Sequence, residues 1–187
     1  MIRRAFLALV AMLGLVGAAA AADQNIMVIE VNGKATGTVE IQLLPDVAPK
    51  HVAQIKALIK QGAYNNVAFH RVIEGFMAQT GDVEFGTKAA FAQGKAGTGG
   101  STLPDLPAEF SKIPFERGTV GMARAQDPNS ANSQFFITFQ PAPFLDGQYT
   151  VVGKVISGMD VVDQIQRGAG QSGMVDAPDW MTKVTLK

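Results

Sequence analysis

The chain has 187 residues, which is long enough for one domain with a substantial hydrophobic core. Basic and acidic residues number 16 each, so the formal net charge of zero gives no indication of nucleic-acid binding. Cysteine is absent, which excludes disulfides, a thiolate nucleophile and a zinc–cysteine site within this sequence.

Residues 1–22 have the pattern of a secretory signal peptide. Two arginines precede an uncharged run from Ala5 to Ala22, and its last three residues, Ala20-Ala21-Ala22, fit the Ala-x-Ala cleavage pattern. We predict cleavage after Ala22 and a mature domain of residues 23–187. The alternatives are a membrane anchor, for which the run is at the short limit, and twin-arginine export instead of general secretion.

The first part of the mature chain predicts two strands and a helix. "IMVIEV" and "TGTVEIQLL" read as strands, and Asn32-Gly33 between them is a strong hairpin signal. "PDVAPKHVAQIKALIKQGAY" reads as a helix, with Pro49 in its first turn and Gly62 near its end. His51 lies in this helix, where we expect it to be solvated.

Short strands predominate in the rest of the chain. "VAFHRVI", "FMAQ", "GTVGMAR", "QFFITF", "YTVVGKV" and "MTKVTLK" read as strands, and "SGMDVVDQIQRG" reads as a second helix. Residues 81–117 form a Gly- and Pro-rich stretch that is too long for an ordinary connection, and such loops are often functional. Most strands are apolar on both faces, so the pattern predicts a mainly β fold, a closed barrel of eight strands with two α-helices at its ends.

Arg71 is the unusual residue of the strand "VAFHRVI". Strict alternation places it on one face with Phe69 and Ile73, where a lone charge is costly unless something uses it. Gln79 follows soon after, directly beyond the apolar pair Phe76 and Met77.

The strand in "SQFFITF" repeats this mixture of polar and aromatic residues. Phe135 and Ile137 share a natural core face, whereas Gln134 and Phe136 share the other. A half-exposed barrel strand is the alternative, and composition alone favours it. Together with Arg71, however, the two polar–aromatic faces can line one groove, and apolar walls with a few placed polar groups are typical of ligand sites.

Other motifs have structural interpretations. "GAGQSG", residues 168–173, follows a helix rather than a strand, so it predicts a loop and not a dinucleotide site. His51 and His70 lack metal-ligand spacing, and we expect no metal or cofactor. His70, Asp82 and Ser133 invite a hydrolase hypothesis, but Ser133 lacks the G-x-S-x-G frame of a nucleophile elbow, and His70 is more typical of a structural histidine.

Three blocks in order, "FHRVIEGFMAQTGD", "SQFFITF" and "FLDGQYTVVGKV", resemble the cyclophilin family of peptidyl-prolyl cis-trans isomerases. The resemblance covers residues 25–187. It implies an eight-stranded antiparallel β-barrel capped by two α-helices, in agreement with the element count.

The resemblance also implies a role for individual residues, with Arg71 as the catalytic arginine. The residues that fall at the proline pocket are Phe76, Met77, Phe136 and Leu145. Those that fall at contacts to the substrate backbone or line the groove are Gln79, Gly97, Ala123, Arg124 and Gln134. The outer wall falls on Phe144 and Tyr149.

Three positions of the implied site depart from a common family pattern, and Glu74 and Thr80, which flank the site, replace a common proline and glycine. Phe144 stands where eukaryotic members often have tryptophan, so the resemblance does not predict whether this chain binds cyclosporin. Tyr149 stands where many members have histidine and is found in many bacterial members. Arg124 stands where many members have asparagine, and we expect its charge to affect which substrate sequences the enzyme prefers.

The expected function is therefore that of an exported, periplasmic prolyl isomerase that assists the folding of secreted proteins. Its expected partners are proline-containing polypeptides, without nucleic acid or stable membrane association after cleavage, and we expect a monomer. The alternative from another class is a holdase that grips proline-containing segments. A purely structural barrel leaves Arg71 unexplained.

Overall fold

In a computed structural model, residues 24–187 form one curled antiparallel sheet with two α-helices, and the predicted signal peptide lies outside the described residues. The strands are β1 (Ile26–Asn32), β2 (Gly37–Leu43), β3 (Val67–Ala68), β4 (Arg71–Ile73), β5 (Met77–Thr80), β6 (Thr119–Met122), β7 (Phe135–Thr138), β8 (Val151–Ser157) and β9 (Trp180–Leu186). The helices are α1 (Pro49–Lys60) and α2 (Met159–Gln164). Within residues 24–187, no helix has both the length and the apolar character needed to cross a bilayer.

The sheet order is β3-β9-β1-β2-β8-β6-β7-β5-β4. The two end strands, β3 and β4, follow each other in the chain, so the sheet curls until its edges adjoin. The mainly β architecture with two helices is confirmed. The sheet differs in detail from the predicted closed, eight-stranded barrel, because "VAFHRVI" forms two strands and no described ladder pairs β3 with β4.

The break between β3 and β4 decides which way Arg71 points. Phe69 and His70 lie outside both strands, so the alternation of side chains does not run through them. Phe69 and Val72 both pack in the main core, whereas Ile73 packs against a second apolar cluster. The prediction that Arg71 shares a face with Phe69 is therefore wrong, and the charge is directed away from the main core.

Two apolar clusters lie on opposite faces of the central strands. In β7, Phe135 and Ile137 belong to the main core, while Phe136 between them belongs to the second cluster. The buried residues of that second cluster are Met77, Phe115, Phe136, Ala142, Leu145 and Val151. Strands that are apolar on both faces thus bury one face in the core and use the other as the floor of a surface site.

The start of α1 is held by a residue far along the chain. Glu109 accepts hydrogen bonds from the backbone N–H groups of Lys50 and His51, both at 3.1 Å, and its carboxylate lies 2.6 Å from His51 Nδ1. Its carboxylate accepts hydrogen bonds from N–H groups that have no partner within the helix, and its negative charge is favourable at a helix N-terminus. His51 is fully buried, so the expectation that it is solvated is wrong. The reason is that the 81–117 stretch folds back across the helix.

This contact predicts a pH-dependent contribution to stability. Burial acts to raise the pKa of Glu109, but the hydrogen bonds from His51 and from the two backbone groups outweigh it and lower the pKa. The stabilisation is therefore present above the ordinary glutamate pKa of about 4.3 and is lost as the pH falls through the lowered pKa. We expect Glu109→Gln to lower the free energy of unfolding at pH 7 by about 1 kcal/mol, and by less at pH 3.

Denaturant unfolding at pH 7, 5 and 3 measures this difference. Glu74→Gln is the matched control, because its carboxylate is 76% exposed and such surface ion pairs contribute little. Equal effects of the two substitutions at pH 7 would contradict the capping role of Glu109.

Candidate active site

A cleft of about 410 Å³ lies over the second apolar cluster. It is lined by residues that all carry a predicted site role: Arg71, Phe76, Met77, Gln79, Ala123, Arg124, Phe136, Phe144, Leu145 and Tyr149. The other two predicted site residues, Gly97 and Gln134, line an adjacent cavity of about 510 Å³. The two cavities share Gln79, Ala123 and Arg124. The structure thus brings the predicted residues into one continuous groove.

Arg71 stands at the first position of β4, directly opposite Gln79 in the ladder with β5. Its Nη1 donates to Gln79 Oε1 at 3.2 Å, and its Nε donates to the carbonyl of Ser172 at 3.0 Å. Both acceptors are neutral, and Arg71 forms no ion pair with any described residue. The guanidinium is therefore oriented without being neutralised.

A chain of amide hydrogen bonds extends from Arg71 to the 97–99 loop. Gln79 Nε2 donates to Gln134 Oε1 at 2.9 Å. Gln134 Nε2 in turn donates to the carbonyls of Gly97 at 3.1 Å and Gly99 at 2.8 Å. Loop carbonyls at one end and the guanidinium at the other fix the orientation of both amides.

Asp82 organises the same loop from below. Its buried carboxylate accepts hydrogen bonds from the backbone N–H groups of Glu84, Phe85, Gly97 and Gly99 at 2.7–3.0 Å. A buried carboxylate with several N–H donors is well satisfied and holds the chain around it rigidly. Asp82 thus positions the loop whose carbonyls hold Gln134.

The floor and walls of the cleft are apolar. Met77, Phe136 and Leu145 are buried, and the Phe136 ring contacts the Tyr149 ring edge-on at 5.9 Å between centroids. Phe144, at the rim, is 65% exposed although it packs 5.3 Å from another aromatic ring of the wall. An exposed aromatic beside an apolar hollow is typical of a binding surface.

His70, Asp82 and Ser133 do not assemble into a hydrolytic site. His70 is buried beneath Gly97, where burial lowers its pKa; the charge of Arg71 acts in the same direction, and Asp82 opposes it. The Ser133 hydroxyl donates to the carbonyl of Gly81 at 2.8 Å. Within residues 24–187, no cluster of three His, Asp or Glu side chains is arranged to hold a metal ion.

One contact of the site was missed by sequence reasoning. The loop "GAGQSG" contains Ser172, whose carbonyl binds Arg71 across a separation of 101 residues. The same loop hydrogen-bonds the backbone of Val72 through Gly173 O and Gly168 N. Every residue has a backbone carbonyl, so side-chain patterns cannot predict which carbonyl will bind Arg71. The contact is identified only from the folded structure.

Comparison with known proteins places this geometry in a family. The family description that matches residues 26–186 is cyclophilin type peptidyl-prolyl cis-trans isomerase/CLD. The chain belongs to the cyclophilin family. Its enzymatic class is accordingly that of the peptidyl-prolyl cis-trans isomerases.

Individual relatives agree with this assignment. A probable peptidyl-prolyl cis-trans isomerase of Brucella suis is 60% identical over 178 residues, which covers 94% of this chain and 89% of the relative. A cyclophilin structure from Hirschia baltica aligns with a TM-score of 0.73 and 27% identity over 87% of this chain and 74% of that chain. A Cryptosporidium parvum cyclophilin solved in the presence of the dipeptide Ala-Pro aligns with a TM-score of 0.72 and 26% identity, covering 87% and 98% of the two chains.

The amide chain of this cyclophilin predicts that Gln79 orients Arg71. Gln79→Met keeps the side-chain length but removes the acceptor for Nη1 and the donor to Gln134. We expect kcat/KM for an Ala-Pro peptide to fall roughly tenfold or more, because the hydrogen bonds to Arg71 and Gln134 are both lost. The NMR signal of Arg71 Nε–H should broaden at the same time.

Gln61→Met is the matched control, because Gln61 follows α1 and lines neither cavity. An unchanged kcat/KM for Gln79→Met, with a folded protein, would show that Gln79 does not orient the guanidinium.

Proposed function

We propose that Arg71 is the catalytic residue of this isomerase and that the enzyme assists the folding of exported proteins. The observation that carries the catalytic part is the position of Arg71. An oriented, unneutralised guanidinium stands at the rim of an apolar cleft. The proposed enzyme acts as a monomer on proline-containing polypeptides.

The reaction is rotation about the X–Pro bond, with no covalent bond made or broken. Resonance in the C–N bond sets a barrier of about 18–20 kcal/mol, so uncatalysed isomerisation takes tens to hundreds of seconds. Acceleration from roughly 100 s to a millisecond requires about 7 kcal/mol of transition-state stabilisation. At the transition state the prolyl nitrogen becomes pyramidal and gains a lone pair that can accept a hydrogen bond.

Arg71 suits this change in the substrate. Its guanidinium has five N–H donors in a rigid fork, of which the contacts to Gln79 and Ser172 occupy one on Nη1 and the one on Nε. The remaining donors can bind the prolyl nitrogen in the twisted state better than in either planar state, which is the requirement for catalysis. Apolar neighbours limit the screening of its charge by water.

The two glutamines have different proposed tasks. Both N–H groups of the Gln134 amide are engaged with loop carbonyls, whereas the Gln79 amide uses one N–H for Gln134 and retains the other. Gln79 can therefore donate to a substrate carbonyl, while Gln134 mainly holds Gln79 in place. Met77, Phe136 and Leu145 form the floor on which the proline ring packs.

The catalytic proposal is tested by substitution of Arg71. We expect Arg71→Ala to lower kcat/KM for an Ala-Pro peptide by orders of magnitude with an unchanged circular dichroism spectrum. Arg71→Lys should recover little, because the fork is lost. Arg117→Ala is the control, since Arg117 pairs with Asp163 outside the cleft and is 46% exposed. Near-wild-type turnover by Arg71→Ala would overturn the assignment.

The proposed role in export rests on the sequence of residues 1–22 and on the bacterial character of Phe144 and Tyr149. Expression of the full chain in a Gram-negative host should give a periplasmic protein whose first residue is Asp23, as measured by fractionation and intact mass. A chain that keeps residues 1–22 in the membrane fraction would favour the anchor instead.

Folding assistance is separable from turnover. The enzyme should accelerate the refolding of a secreted client limited by proline isomerisation, and Arg71→Ala should not. Equal protection of a client without rate-limiting prolines by both proteins would favour the holdase alternative.

A further inference from the structure

The cleft contains two guanidinium groups and no carboxylate. Arg71 and Arg124 are the charged residues of its lining; the other lining residues are apolar, aromatic or amide side chains. Catalysis of bond rotation, as proposed above, calls for one donor at the prolyl nitrogen. The second cation therefore needs its own explanation.

Arg124 is held rigidly at this position. Its guanidinium lies 4.4 Å from the centroid of the Tyr149 ring, within the range of a cation–π contact. Nη1 donates to the carbonyls of Ala125 at 2.9 Å and Gln126 at 3.2 Å, and Nη2 donates to the carbonyl of Gln148 at 3.2 Å. A long side chain that is already ordered loses little conformational freedom when a ligand binds it.

The charge of Arg124 is not neutralised by these contacts. All three acceptors are neutral carbonyls, and no ion pair in residues 24–187 includes Arg124. Three of its five N–H donors are occupied, which leaves the buried Nε–H and the second N–H on Nη2. The second of these can bind a partner in the groove. A charge-assisted hydrogen bond from this group to a carboxylate is stronger than one to a neutral acceptor.

Arg124 also lies on the path of an extended substrate. It lines both the proline cleft and the adjacent cavity, so a peptide that fills both must pass beside it. The side chain that Arg124 meets belongs to a residue close to the proline, not to the proline itself, since the apolar floor receives the ring.

We propose that Arg124 is a specificity-determining residue, which makes the enzyme favour substrates with an acidic side chain flanking the proline and disfavour those with lysine or arginine there. The proposal rests on the proposed function of the cleft. Arg71 adds potential of the same sign, and no described lining residue of the cleft opposes it. The adjacent cavity has one carboxylate, Asp105, which accepts a hydrogen bond from Asn132 Nδ2, so the acidic side chain is expected on the cleft side of Arg124. The substrate class is therefore acidic proline-containing segments.

Arg124 also has a structural contribution that the test must separate. Its hydrogen bonds tie the 125–126 turn to Gln148, so its loss can loosen one wall of the cleft. A loosened wall affects peptides of every charge alike. A charge effect instead changes the ratio of kcat/KM for acidic peptides to kcat/KM for basic peptides.

The experiment measures kcat/KM for matched peptides that carry Glu, Gln or Lys immediately before the proline, and for a second set with the same residues immediately after it. For the wild type in low salt we expect Glu to exceed Lys by roughly fivefold in one of the two sets, the range of a partly exposed charge pair. The ratio should approach one near 1 M salt, where the Debye length is about 3 Å.

Arg124→Gln should bring the Glu-to-Lys ratio to near one in low salt. Arg124→Lys should keep most of the preference, because it retains the charge without the fork. Arg117→Gln is the matched control: it removes the same group outside both cavities and should leave the ratio at the wild-type value.

A wild-type ratio of one in both sets would overturn the proposal, and so would a preference that Arg124→Gln leaves intact. An equal loss of activity on all peptides in Arg124→Gln, with an unchanged ratio, would assign Arg124 a structural role instead. If Arg124→Gln does not fold, two other measurements test the proposal. A wild-type Glu-to-Lys ratio that salt does not lower, or a ratio that Arg124→Lys brings to one, would then overturn it. Failure of the proposed catalytic function gives a different result, namely full turnover of all peptides by Arg71→Ala.

Discussion

The hydrogen bond from Arg71 to Gln79 connects the cleft with the rest of the fold. On one side it orients a cation that has no carboxylate partner, and on the other it continues through Gln134 to a loop held by Asp82. An ion pair at this place would orient the guanidinium equally well but would neutralise its field. Neutral amides and a backbone carbonyl give orientation while the charge stays available, which is the property that a developing lone pair requires.

The sheet makes this arrangement possible because its central strands have two apolar faces. Phe135 and Ile137 pack in the main core, and Phe136 between them forms the floor of the cleft. The site therefore rests on a rigid strand whose other side is buried, and little of the floor can move when a substrate binds. The polar groups come from strand ends and loops around that floor, the usual division between scaffold and site.

Two arginines in one small apolar cleft have separate proposed tasks that follow from their partners. Arg71 keeps several donors free and faces the proline floor, whereas Arg124 is fastened to three carbonyls and a tyrosine ring and acts mainly through its charge. The first would act on the transition state and the second on the choice of substrate. The same residue type thus has different proposed tasks according to where the fold places it in the groove.

The sequence determined the strand-rich character and the two helices through local periodicity. It indicated the polar and aromatic residues around Arg71 and Gln134, and the resemblance of short blocks such as "FHRVIEGFMAQTGD" to a family implied the rest of the groove. Tertiary structure decided what depends on residues far apart in the chain. The interruption at Phe69 and His70 directs Arg71 away from the core, Glu109 buries His51, and the Ser172 carbonyl holds the guanidinium. Alternation rules assume an unbroken strand, backbone acceptors have no side-chain signature, and Glu109 is 58 residues from His51, so none of the three outcomes is visible before the chain folds.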